Sequence, residues 1–573
     1  RRSGRLSGDA LIQALAVVAE AARRATGLRP HEVQLMGALA VYRGFLAEMA
    51  TGEGKTLTVS LAGVLSAWHG RAVHMLTAND YLAARDAETM GPVYAACAVS
   101  VGSVTEEVDH ADRPALYRSD VVYTTAKDLL ADYLRDLGAG AQGTDAQHLA
   151  YRRWALGRDA AGLNRSSPLL LTRGLDTVIV DEADSLLIDE AVTPLILSIP
   201  REDDGLDAAV RVAAEVADCL EEGADYRLVR KHRSVLLNPA ARERVAERAA
   251  ELPRLWQAAP RREELLRQAL SARHFIERDH QYVVQDDKVV LLDQFTGRLT
   301  PNRSLSAGLH QALEVKEGVT ITAPTETLGQ MSFQTFFRHF RHLSGITGTA
   351  RETAAEFWRN YDLRFLTIPP NKVCRRVTHR ARYAGTQAAA MEAVTTEVQA
   401  CRERGQPVLI GVRKVSTSQV LSEALSRAGI DHELLNALNH GEEADIVARA
   451  GRIGRVTIAT NMAGRGTDIK LGEGVEALGG LHVIIAECNE SGRVDRQLAG
   501  RCARQGDPGS VVRILGLDDE MISKALPFPA GAMPSVLAPL LFRYAQWRAE
   551  RKAAVQRKMV MKADDWVRKT LPF

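Results

Sequence analysis

Residues 47 to 59 read AEMATGEGKTLTV, a loop of small residues ending in Lys-Thr. Such a loop turns backbone N–H groups inward around phosphate oxygens, and Gly52 and Gly54 permit the close approach. Lys55 is placed to reach the β- and γ-phosphates of a nucleotide, and the Thr56 hydroxyl to take one position on Mg²⁺. Thr51 and Glu53 complete the set of loop positions expected to contact the ligand. The match to the general Walker A pattern is partial, because Met49 stands where that pattern has its first glycine. A second phosphate-handling element lies in LDTVIVDEADSLLIDEA, where the apolar run Val178 to Val180 leads into Asp181 and Glu182. A carboxylate at the carboxyl end of a buried parallel strand is where a Walker B aspartate meets Mg²⁺. Asp181 is therefore the candidate for the metal, and Glu182 for orienting or deprotonating the attacking water.

These residues need particular elements to hold them. The apolar run LTVSLAGVLSAW reads as a helix whose N-terminus faces the anion, and Val178 to Val180 as a buried strand. The chain around them has 573 residues, enough for three or four domains at about 150 residues each. Its 73 basic and 71 acidic residues leave a net charge of +2, so no global polycation draws it to nucleic acid. Cys97, Cys219, Cys374, Cys401, Cys488 and Cys502 are scattered without a C-x-x-C pair, which implies reduced thiols and no zinc site. No apolar stretch reaches the ~20 residues of a membrane span, and no signal peptide is visible from Arg1 onward.

Residues 181 to 184 spell DEAD, the box that names a class of RNA helicases. In those enzymes a short S-A-T element follows within a few tens of residues, whereas the nearest counterpart here, TGTA at 347 to 350, begins 166 residues after Asp181 (347 − 181). The intervening sequence reads as an inserted domain, with a helical stretch around 240 to 273 and two β-rich runs joined at Asp286-Asp287. Helical character is expected to return over TLGQMSFQTFFRHFRHLSGITGTA.

The order of motifs resembles the SecA preprotein translocase ATPases almost end to end. RPHEVQLMGALAVYRGFLAEMATGEGKTL is similar to that family's Q-motif and Walker A region. TANDYLAARDAETMGPVY, DEADSLLIDEAVTPLILS, FTGRLTPNRSLSAGLHQALEVKEGV, MSFQTFFRHFRHLSGITGTA, GQPVLIGVRKVSTSQVLSEAL, LLNALNH, TNMAGRGTDIKLG, LGGLHVI and QLAGRCARQGDPGS continue the likeness in order. The resemblance implies an α/β protein with two helicase-type (RecA-like) parallel-sheet motor domains, an inserted α+β preprotein cross-linking domain and a short C-terminal helical segment. The expected boundaries are 1–197 and 324–370 for the first motor domain, 198–323 for the insertion, 371–527 for the second motor domain and 528–573 for the start of a helical scaffold.

The same resemblance implies roles for single residues. Gln34 reads the adenine edge, an amide offering both donor and acceptor. Arg85 couples nucleotide to the rest of the motor. Arg465 approaches the phosphates, Asp468 the ribose, and Arg501 and Arg504 are the paired arginine fingers that stabilise charge on the transferred phosphoryl group. Their spacing of three predicts one shared helical face. The implied ligands are ATP and Mg²⁺. The implied partners are unfolded secretory preproteins, the SecYEG channel and, through nine Lys or Arg against three Asp or Glu after residue 540, an anionic membrane surface. No nucleic acid is expected, a homodimer is among the assemblies allowed, and the expected place is cytoplasmic, at the inner face of the membrane.

Departures from the family pattern are equally visible. GRCARQGD puts Cys502 and Ala503 where the family has smaller residues, and NESGRVD lacks a histidine and an arginine of the related H-E-S-R-R-I-D. PNRSLSAGLHQ lacks a tryptophan. Most of the family's helical scaffold, its two-helix finger, wing and zinc-binding tail have no counterpart, so the sequence reads as a short paralogue or a fragment. Two other functions stay open at this stage: a SecA-like ATPase or polypeptide-binding module that does not drive translocation, and a DEAD-box-like nucleic-acid helicase.

Overall fold

The computed structural model describes residues 6–138, 172–200, 205–230, 233–247, 254–278, 281–292, 299–300, 304–305, 308–323, 325–435, 440–460, 468–526 and 535–570. The chain forms two compact units, Arg1–Ile196 with Gly329–Phe573, and Leu197–Leu328.

The first unit is built on two seven-stranded sheets. In one, the strands run in the order Arg364–Thr367, Phe45–Glu48, His342–Thr347, Thr177–Asp181, Val73–Thr77, Val121–Thr125, Val101–Val104. Every neighbouring pair is parallel. These strands are runs of Val, Ile, Leu and Thr, and Val73–Thr77 and Val121–Thr125 are buried throughout, as expected of parallel strands covered on both faces. Helix Lys55–Trp68 buries Leu57 to Ala67 without a gap and therefore lies deep in the unit. The DEAD box joins the TGTA segment through adjacent strands, Ile346 lying opposite Asp181 in the register.

The second sheet is also all parallel, in the order Arg375–Thr378, Pro508–Gly516, Leu481–Ile485, Val408–Val412, Val456–Thr460, Glu433–Leu435, with Arg382–Ala384 on the far part of Pro508–Gly516. Helix Gln387–Glu403 packs on it. Thr386 caps that helix by accepting from the Ala389 N–H at 3.2 Å.

A 33-residue helix, Ala538–Thr570, closes the unit. Glu550 accepts from the Ser491 hydroxyl at 2.6 Å and Gln546 donates to Asp495 at 2.8 Å, both on the second-sheet side. Further along, Asp564 accepts from Ser332 at 2.6 Å, and Arg557 holds Glu356 through two bonds of 2.6 and 2.8 Å, both on the first-sheet side. None of the described helices is long and apolar enough to cross a membrane.

The second unit, Leu197–Leu328, mixes helices Leu206–Asp218, Pro239–Glu247, Ala259–Phe275 and Leu309–Glu317 with two antiparallel hairpins. Asp286 and Asp287 have φ of 51° and 58°, the two-residue turn with positive φ that matches strand twist. Its core gathers Trp256, Leu265, Leu270, Tyr282 and Leu313, and the Trp256 indole donates to the Ala209 carbonyl at 3.0 Å.

One expectation fails here. Residues 327 to 350 are not uniformly helical: strand Thr325–Met331 comes first, then the six-residue helix Phe333–Arg338, then strand His342–Thr347. The β-branched and small residues of HLSGIT belong in the sheet beside the DEAD strand, and that tertiary pairing overrides the helical look of the aromatic run before it.

Candidate active site

The phosphate loop connects strand Phe45–Glu48 to helix Lys55–Trp68. Gly52 and Gly54 have φ of 86° and 77°, a region other residues rarely enter. A Cβ on Gly54 would sit 2.3 Å from the Gln34 amide nitrogen, and one on Gly52 would sit 2.8 Å from the Arg504 side chain. Both glycines are thus required by backbone conformation and by space.

Lys55 Nζ lies 2.5 Å from Glu182 Oε1. Burial works against its charge, but Glu182, Asp181 and Asp184 outweigh burial and hold the ammonium above its usual range. Asp181, at the end of its strand, accepts from the Glu182 N–H at 2.9 Å. Burial pushes its carboxyl up to about 7; Lys55 opposes the shift, while Glu182 and Asp86 add to it by repulsion. Three carboxylates around one lysine are a donor set short of positive charge, which a divalent cation would supply. Asp181 and the Thr56 hydroxyl fit an oxygen-seeking Mg²⁺, and the glycine cradle fits a phosphate chain. Glu182 has φ of 54°, a left-handed conformation in a non-glycine residue, held at the position expected to handle water.

The remaining expected residues fall into place unevenly. The Gln34 amide accepts from the His31 N–H at 2.8 Å and donates to the Glu53 carbonyl at 2.9 Å, so it braces the phosphate loop from behind. The Thr51 hydroxyl donates to the Gly500 carbonyl at 2.6 Å, and Glu53 accepts from the Asn371 N–H at 3.1 Å, tying the loop to the second half of the unit. Arg85 grips Asp86 through bonds of 2.7 and 2.9 Å. Arg504 pairs with Asp468 and donates to the Gly500 carbonyl at 3.0 Å. Arg465 lies outside the described residues.

The shared helical face expected for Arg501 and Arg504 is not there. The helix Gly492–Ala499 ends before them. Ala503, Gln505 and Gly506 then take φ of 55°, 51° and 85°, leaving the right-handed region three times in four residues. Arg504 reaches the phosphate loop from this turn, with Gln505 donating to the Gly52 carbonyl at 3.0 Å.

Six further residues escaped the sequence reading. Asp184, the last letter of DEAD and fully buried, accepts from Thr347 at 2.5 Å, Thr349 at 2.7 Å and Gln497 at 2.6 Å, and pairs with Arg493. The Arg493 side chain is 1% exposed, and its second nitrogen holds Asp189 at the end of a π-helical turn, Ser185–Asp189. The two carboxylates outweigh burial and push the guanidinium pKa up. The signal was present in the spelling DEADSLLIDE and NESGRVD, but not the fact that they meet.

A family model described as the SecA DEAD-like domain matches residues 2–358, and one described as the SecA P-loop domain matches residues 373–477 and 472–538. The chain belongs to the SecA family. It is 52% identical over 575 residues to protein translocase subunit SecA 2 of Magnetococcus marinus, covering 99% of this chain and 88% of that one. It is 40% identical over 588 residues to SecA 2 of Chlorobium chlorochromatii, covering 100% and 88%. Against protein translocase subunit SecA of Solidesulfovibrio magneticus it is 43% identical over 520 residues, covering 91% of this chain and 59% of that one. The solved DEAD-box helicase Mss116 bound to ssRNA and UDP-BeF aligns over 94% of this chain and 82% of its own, with TM-score 0.45 and 10% identity. This SecA-family chain is an ATPase with an α/β fold built on two parallel sheets.

Proposed function

We propose that this chain is an ATP-driven motor that moves unfolded secretory preproteins through the SecYEG channel from the cytoplasmic face of the membrane. The observation that carries the reading is the buried Asp184 cluster, where Thr347, Thr349, Arg493 and Gln497 converge beside Lys55, Asp181 and Glu182. It ties the residues that handle phosphate to those that follow the second sheet, so that a change at one must be felt at the other.

Lys55 binds the β- and γ-phosphates; Asp181 with Thr56 would hold Mg²⁺, which would supply charge neutralisation when bound. A triphosphate competes with Glu182 for Lys55 Nζ. Released from that ion pair, Glu182 Oε1 accepts a proton from the attacking water. Arg504, freed from Asp468, turns toward the transferred group together with Arg501, and Arg465 and Asp468 complete the second side. Gln34 keeps the loop braced and offers the second hydrogen and second lone pair of its amide to the base edge. Arg85, through Asp86, reports on the charge at Asp181. The two sheets then change their relative orientation as the nucleotide contacts change.

The Leu197–Leu328 unit is the polypeptide clamp, and the basic helix Ala538–Thr570 supports peripheral contact with anionic lipid. The test is steady-state ATP hydrolysis by the chain alone, with RNA, and with SecYEG vesicles plus an unfolded preprotein, Glu182→Gln serving as inactive control. Stimulation by vesicles and preprotein is the expected result. Stimulation by RNA alone overturns the proposal, and a rate that nothing stimulates leaves an uncoupled ATPase.

A further inference from the structure

The second sheet carries a cluster that nucleotide chemistry does not use. Glu397 and Cys401 are one turn apart on helix Gln387–Glu403 and face His482 on strand Leu481–Ile485, with one ligand-type atom from each lying within 4.8 Å of the others. Glu397 Oε1 and His482 Nε2 are 3.5 Å apart. That is close to the roughly 3.3–3.8 Å between ligand atoms on a tetrahedral ion with bonds of about 2.0–2.3 Å. The His482 side chain is 2% exposed, yet its Nε2 has no hydrogen-bond partner among the described residues. A buried ring nitrogen left without a partner calls for an explanation.

We propose that Glu397 Oε1, Cys401 Sγ and His482 Nε2 form a site for a thiophilic divalent cation of the Zn²⁺ class. The atoms around the three residues suit that role. The Ser510 hydroxyl lies 2.7 Å from His482 Nδ1, fixing the ring so that Nε2 points at the cluster. Arg382 holds the other carboxylate oxygen of Glu397, leaving Oε1 free to ligate. Arg404 donates to Cys401 Sγ at 3.3 Å, a bond that favours the thiolate. The ring centroid of the exposed His379 lies 6.1 Å from that of His482.

The place of the cluster defines what the ion does. His482 faces helix Gln387–Glu403 on one face of the sheet, where Val398 and Cys401 pack with Ile484, whereas Ala499 and Cys502, beside the residues that meet the phosphate loop, pack with Leu481 and Val483 on the other face. The ion therefore takes no part in hydrolysis. It pins helix Gln387–Glu403 to the middle of the second sheet, a structural role reached without any C-x-x-C spacing.

The experiment uses the full chain, tag-free and stripped with chelator, titrated with Co²⁺ as a spectroscopic substitute and with Zn²⁺ in competition. The expected result is one Co²⁺ per chain, with tetrahedral d–d bands and a thiolate charge-transfer band that Zn²⁺ abolishes. The band is lost in Cys401→Ser and kept in Cys219→Ser and Cys374→Ser, whose sulfurs are exposed. Glu397→Gln, at a partly exposed position, weakens binding at least about tenfold and removes the rise in Tm that Zn²⁺ gives the parent chain. It carries the test if Cys401→Ser does not fold. No thiolate band at one equivalent, a band that persists in Cys401→Ser, or a Zn²⁺ affinity unchanged in Glu397→Gln overturns the proposal.

Discussion

The two sheets of the first unit are alike in topology and opposite in chemistry. Each is parallel and seven-stranded, and each presents loops at the carboxyl ends of its strands. The first sheet sets Asp181, Glu182 and Asp184 around Lys55, with Asp189 just beyond them. The second answers with Arg493, Arg496, Arg501 and Arg504. Where the two sets meet, Arg493 and Asp184 are both fully buried, and each removes from the other the cost of an unpaired buried charge. One fold, used twice, thus becomes a machine with two unlike jaws whose complementarity is electrostatic.

The sharpest way to break that comparison is to remove a positive group from the second jaw at the point nearest the phosphate loop. Arg504→Ala is expected to lower kcat by about 10³- to 10⁵-fold, with nucleotide affinity measured by equilibrium binding changing far less. An equal loss in both would make Arg504 a binding residue only. The matching change on the acidic side, Glu182→Gln, is expected to reduce kcat about 10²- to 10⁴-fold. Retained nucleotide binding separates a lost base from a collapsed site.

Arg493→Met tests the buried contact itself. It leaves Asp184 and Asp189 without their cation and is expected to cost about 3–5 kcal/mol in urea unfolding. Asp184→Asn/Arg493→Met should recover part of that loss, because the uncompensated carboxylate is gone. A double variant no better than the single one would mean that the pair is not coupled.

Acidity gives a gentler test of the first jaw. A folded-state pKa of about 7 for Asp181 lies above that of an unfolded carboxyl, so its contribution is fully present at low pH and is lost as pH rises toward and through 7. The free-energy difference between the parent and Asp181→Asn is therefore expected to move in favour of the variant between about pH 4 and pH 7. Saturating Mg²⁺ should flatten that trend in the parent. A difference independent of pH would show that Asp181 titrates normally.

The smallest expected effect is at Ala503, held at φ of 55° where glycine would be unstrained. Ala503→Gly should stabilise the chain by about 0.5–1 kcal/mol. No gain in Tm would mean that packing around the methyl offsets the backbone strain.

These two jaws differ in how much of them the sequence reveals. Gly52, Gly54, Lys55 and Thr56 are consecutive or nearly so, and Asp181-Glu182 end an apolar run, so local spacing alone places them. Asp184 and Arg493 meet across 309 positions, and no periodicity carries that distance. The spacing of Arg501 and Arg504 misleads because it assumes a helix that left-handed residues have already ended. The HLSGIT strand was hidden by the aromatic run before it, and the Glu397, Cys401 and His482 cluster joins a helix turn to a strand 81 positions past Cys401 (482 − 401). What is written within one element can be read; what depends on two elements meeting cannot.

The terminal helix has a mechanical consequence. Glu550, anchored to Ser491, and Asp564, anchored to Ser332, are fourteen residues apart (564 − 550) on one continuous rod. At about 1.5 Å per residue the rod fixes those two anchor points roughly 21 Å from each other. A tie bar of that kind permits pivoting about its ends and forbids drawing apart along its length. Motion between the jaws is thereby converted from an opening into a swing.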